Sequence, residues 1–134
     1  MRCSTTVFPG LIGGDWNGSG PDPDYDPDPY EGVAWHPDHA RQLDEHGRVD
    51  RSVAICLERI GHLQDCARLA GAPYIPTAGR HPADTQPLRR WDRWYGTHDF
   101  PAAAAAGFRV GQSGSHSDHD FPIFTVEETL LPLI

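Results

Sequence analysis

Asp15 and Asn17 close the stretch "LIGGDWN", Asp92 sits within "RRWDRWY", and Asp118 and His119 open "DHDFPIFTVE". Each cluster stands where an apolar or aromatic run meets a polar loop, so a carboxylate, an amide or an imidazole is set at what reads as a strand end. In an extended chain, positions i and i+2 face the same way, which presents the Asp15 carboxylate beside the Asn17 amide. Such a pair could hold a metal or a phosphate. Hydrolysis of a phosphoester needs charge neutralisation at the phosphoryl oxygens, an activated water and help for the leaving group. Magnesium takes oxygen ligands and keeps waters, so one or two carboxylates and the phosphate itself can hold it.

Each cluster also has a plainer reading. Asp-Trp-Asn after two glycines suits a turn closed by side-chain-to-backbone hydrogen bonds, and Ser117-Asp118-His119 suits the same. Asp92 could be an exposed carboxylate paired with Arg90 or Arg93. His116 and His119 lack the further ligands of a zinc site. "DWNGSGPDPDYD" places Asp15, Asn17, Ser19, Gly20 and Asp26 at positions 1, 3, 5, 6 and 12 of a calcium-loop template, but proline fills positions 7 and 9 and no helix precedes it. A non-enzymatic calcium module using residues 15–26 is therefore the rival from another class.

The elements that must position these residues are short. Residues 5–14 read as a strand with Pro9 at its edge, and the Pro-Asp alternation of 18–32 reads as an extended, solvated acidic loop. Pro37 is placed to start a short helix over 38–46, with Gly47 to stop it. "RSVAICLERIGHLQDCARLAG" carries Val53, Cys56, Leu57, Ile60, Leu63, Ala67 and Ala70 on one helical stripe, which Gly61 divides and Gly71 ends. Residues 72–87 read as loop, 88–96 as an aromatic strand, "PAAAAAG" as an Ala helix, "FRV" as a strand and Phe121–Val126 as the last strand.

With 134 residues the chain suffices for a single domain, and 14 Gly with 13 Pro give loops an unusual share of it. Its formal charge of −8 is uneven, because residues 15–50 hold ten acids against Arg41 and Arg48 alone. That balance argues against coating nucleic acid by charge. Three cysteines without CxxC spacing signal neither a disulfide framework nor a zinc knuckle, and reduced, mostly buried thiols are expected. His36, His39, His46, His62 and His81 read as surface residues. No stretch has the make-up of a signal peptide or a membrane span, so a cytoplasmic location is the expectation.

Taken together and in order, the three clusters resemble the GDxN, R-[IL]-D and SDHxPV motifs of the endonuclease/exonuclease/phosphatase superfamily. These are metal-dependent phosphoesterases related to pancreatic deoxyribonuclease and exonuclease III. "HLQDCARLAG" is similar to that family's G-L-x-D-A segment, and the likeness covers most of residues 10–128. It implies an α/β fold, part of a four-layer α/β sandwich, with magnesium or manganese as cofactor and a nucleic acid or small phosphoester as substrate. It also implies catalytic roles for Asp15, Asn17, Asp92 and His119, a metal role for Asp118, and phosphate contacts from Asn17, His119 and Arg90. The match is to the second half of such a domain, so residues 1–134 are expected to form a single, incomplete unit. The first half would supply a metal-binding Glu. Alone, the chain is expected to be poorly folded or to self-associate and to turn over little substrate, and an inactive remnant is the further alternative.

Overall fold

The computed structural model describes residues 9–131 and shows a mixed α/β chain with two small antiparallel sheets. β1 (Leu11–Asp15) pairs with β3 (Asp92–Gly96), which pairs on its other side with the two-residue β2 (Gln64–Asp65). β4 (Ala105–Gly111) and β5 (Phe121–Val126) form the second sheet. A buried cluster of Phe100, Ala104 and Ala105 ties the two sheets together, packed against Leu69, Ala70, Phe124 and Val126. Trp94 crosses between them, its indole N–H donating to the Pro122 carbonyl at 3.1 Å.

Helix is scarcer than the apolar stripe predicts. Residues 52–60 wind as α1 (Ser52–Ile55) and then one wider π turn, Cys56–Ile60, closed by Gly61 N–H on Cys56 O. Gly61 does divide the stretch, after which β2 precedes the four-residue α2 (Cys66–Leu69), N-capped by the Asp65 carboxylate. Val53 and Ile60 are exposed while Ala54, Cys66 and Ala67 are buried, so the continuous stripe does not exist. The segment after Pro37 is a 3-10 turn, Pro37–Gln42, capped by His36. The alanine run makes only a 3-10 turn, Ala102–Ala104, before Ala105 joins β4 opposite Val126. Sheet pairing overrides the helix preference of alanine there. The predicted strand over 5–14 is seen from Leu11; residues 5–8 lie outside the described residues.

Two further expectations fail on burial. The acidic loop 18–32 is not simply solvated, because Ser19, Asp26 and Tyr30 are buried. Asp26 accepts from Gly20 N–H at 2.8 Å and lies 3.1 Å from an Arg93 nitrogen and 3.4 Å from one of Arg90. Arg90 is also bound to Asp65 at 2.5 Å, and all four ionic side chains are about fully enclosed. Burial works against the Arg90 charge, but Asp65 and Asp26 outweigh it and raise its pKa further. His39, expected at the surface, is buried beside Tyr30. Cys66 is buried and Cys56 exposed. Among the described residues no helix is long and apolar enough to cross a membrane.

Candidate functional site

The β1–β3 register sets Asp15 directly opposite Asp92. Two like charges facing across a strand pair destabilise it, so the arrangement asks for a cation between them. His119 supplies an imidazole at that place. Its Nδ1 lies 2.8 Å from Asp92 Oδ2 and 3.9 Å from Asp15 Oδ2, and one donor atom from each of the three residues falls within a span of 4.8 Å. A carboxylate can only accept, so Nδ1 carries the proton of the neutral ring, and Nε2 keeps its lone pair. Burial pushes the Asp92 carboxyl above its usual range, opposed by hydrogen bonds from Thr77 and His119 and reinforced by Asp15. A divalent ion or an imidazolium at this point would relieve that strain on the carboxylates.

Thr77 holds the two halves of the site together. Its Oγ1 accepts from the backbone N–H groups of Trp91 and Asp92, both at 3.1 Å, and its carbonyl accepts from Asp120 N–H at 2.6 Å. The neighbouring Ala78 bridges to Arg89 on one side and to His119 on the other. Gly79 follows at φ +99, where a Cβ would meet Pro87 O at 2.6 Å, so glycine is required at this close approach. Thr77→Val keeps the volume but strips the acceptor from one buried and one partly buried N–H group. It is expected to cost ~1–3 kcal/mol in denaturant unfolding; an unchanged midpoint would show that Thr77 is not the tie.

Asn17 reaches the site by a different route from the one the spacing suggests. It lies beyond the end of β1 in a left-handed conformation, φ 48, and its N–H donates to Asp15 Oδ1 at 2.8 Å. The plainer turn reading is thus present, yet both side chains still line one cleft of about 580 Å³, with Asp118 and His119. Asp118 is exposed at the rim and stands outside the Asp15–Asp92–His119 cluster. Arg90 is absent from that lining: the buried ion pairs with Asp65 and Asp26 make it a structural residue rather than a phosphate contact. They also occupy Asp26, which the calcium-loop reading needs free. Asp92 pairs with neither Arg90 nor Arg93.

The sequence gives little hint of what else lines the cleft. Arg89 is buried there, bound to Asp84 at 2.9 Å and stacked 4.0 Å over the Trp91 ring, and His81 enters from the loop 79–88. The Arg89 guanidinium and the Gln86 N–H hold the Asp84 carboxyl below its usual range in spite of burial. His81, expected at the surface, is half-buried and lines this cleft. Comparison with family models, curated proteins and solved structures returns no match.

Proposed function

We propose that the chain carries part of the active site of a divalent-metal-dependent phosphoester hydrolase, in the second half of a four-layer α/β sandwich. The observation that carries the reading is the pair of facing carboxylates, Asp15 and Asp92, bridged by His119. Oxygen donors dominate the cleft, which suits a hard ion such as magnesium or manganese better than a soft one. Asp118 would hold the ion at the rim; when bound, it would neutralise phosphoryl charge and lower the pKa of a coordinated water. Asp15 would align the attacking water, and Asn17 would donate its amide to a phosphoryl oxygen. His119 Nε2 would accept a proton from that water, with Asp92 fixing its tautomer.

The completing segment is a proposal as well. β1 pairs on one side only among the described residues, and Leu11, Ile12 and Phe121 are exposed, next to an apolar recess lined by Trp94, Ile123 and Phe124. An apolar edge of this kind suits a further sheet segment bringing the metal-binding Glu. Manganese titration of the chain followed by NMR tests the metal site directly. Resonances of Asp15–Asn17 and Asp118–His119 are expected to broaden first, and Asp118→Ala to abolish that selectivity. Phosphodiester turnover should be slight for the chain alone and rise when the first half of a family member is added. Broadening elsewhere only, or chelator-sensitive turnover untouched by Asp118→Ala, would overturn the reading.

A further inference from the structure

The cationic side chains at the cleft are already spent. Arg89 is bound to Asp84 at 2.9 Å, and Arg80, in the adjoining recess of about 230 Å³, is bound to Asp120 at 2.8 Å. An anion entering the cleft therefore meets neutral donors. His81 is the one whose ring is oriented by the backbone. It lines both the cleft and the recess, and so does Asp118. Its Nδ1 accepts the backbone N–H of Ala83 at 3.1 Å. A nitrogen that accepts carries no proton, so the neutral ring holds its proton on Nε2, and that N–H alone is left for a ligand.

We propose that His81 is a substrate-contacting residue, donating from Nε2–H to a phosphate oxygen bound between the cleft and the recess. This rests on the phosphoester reading of the site. The two imidazoles of the cleft are then opposite tautomers. His119, with Nδ1–H on Asp92, turns a lone pair outward, whereas His81, with Nδ1 on a backbone N–H, turns an N–H outward. One accepts and the other donates, which is what a bound phosphate and its attacking water jointly require. The cap alone does not make a site. His36 accepts from Asp38 N–H at 3.2 Å in the same His-Pro geometry, but it stands outside this cleft.

Two substitutions separate the donor from the cap. His81→Asn keeps a side-chain oxygen for the Ala83 N–H, as Asp84 does for Gln86 N–H, but cannot reach the position of Nε2. His81→Gln places an amide donor near that position. Long-range proton–nitrogen NMR on the histidine-labelled chain should show His81 unprotonated at Nδ1 and protonated at Nε2. On titration with inorganic phosphate and magnesium, the signals of His81 and His119 should shift together. His81→Asn, with an unchanged circular dichroism spectrum, should bind phosphate about tenfold more weakly, the lower end for a hydrogen bond to a charged group. His81→Gln should recover part of that loss. Phosphate that shifts His119 but not His81, or His81→Asn binding as tightly as the parent chain, would overturn the inference and leave the phosphoester reading standing. Phosphate that shifts neither ring would bring down both.

Discussion

Asp26→Ala is expected to remove ~3–5 kcal/mol of folding stability, the cost of leaving buried charges without a partner. The carboxylate stands within 3.4 Å of guanidinium nitrogens from both Arg90 and Arg93, and it also holds the Gly20 N–H. Arg93 keeps the carbonyls of Gly18 and Arg90, and Arg90 keeps Asp65, so the network loses its centre but not all its bonds. Against a typical total of about 5–15 kcal/mol, such a loss would leave much of the population unfolded or open. Asp22→Ala is the matched control. It breaks an ion pair with Arg68 that is exposed on both sides, worth under about 1 kcal/mol. Urea unfolding of the two variants should therefore separate widely. Equal midpoints would show that the acidic loop is pinned by something other than Asp26.

That prediction also marks where the sequence was opaque. Nothing local in "PDPDYDPDP" distinguishes Asp26 from its neighbours, because its arginine partners lie more than sixty residues further along the chain. The same long-range partnership turned Arg90 from an apparent phosphate contact into a core residue. Strand positions were easier: Asp92–Gly96 and Phe121–Val126 carry aromatic and β-branched residues at the right density, and the structure places strands there. The 52–70 region misled because its spacing is genuinely helical, yet Gly61 and the pull of β2 onto β3 split it. Asp15, Asp92 and His119 were legible as types at strand ends, and the register that faces two of them was not. Thr77 and His81 left no signal of their own. A lone threonine and a histidine before proline become informative only when the loop around them is folded against Asp92 and His119.

His119→Ala should lower phosphoester turnover by about 10²–10⁴-fold, measured on the chain completed with the first half of a family member. The dyad geometry makes a sharper statement about Asp92. His119 Nδ1–H is held by Asp92 Oδ2 at 2.8 Å, the bond that fixes the ring's tautomer. In Asp92→Asn, an amide NH₂ replaces one carboxylate oxygen and can be turned toward His119 Nδ1. An imidazole facing that donor must put its own proton on Nε2, and the lone pair that should meet the attacking water is lost. Asp92→Asn is therefore expected to be at least as damaging as Asp92→Ala, although it is nearly isosteric. Nitrogen NMR should register the flip of the His119 tautomer without any turnover being measured. Because the carboxylate acts only through the ring, Asp92→Asn combined with His119→Ala should be no slower than His119→Ala alone. Losses that multiply, or an Asp92→Asn variant that keeps both its activity and the Nδ1–H tautomer, would break the dyad and leave Asp92 as a carboxylate that merely neighbours the site.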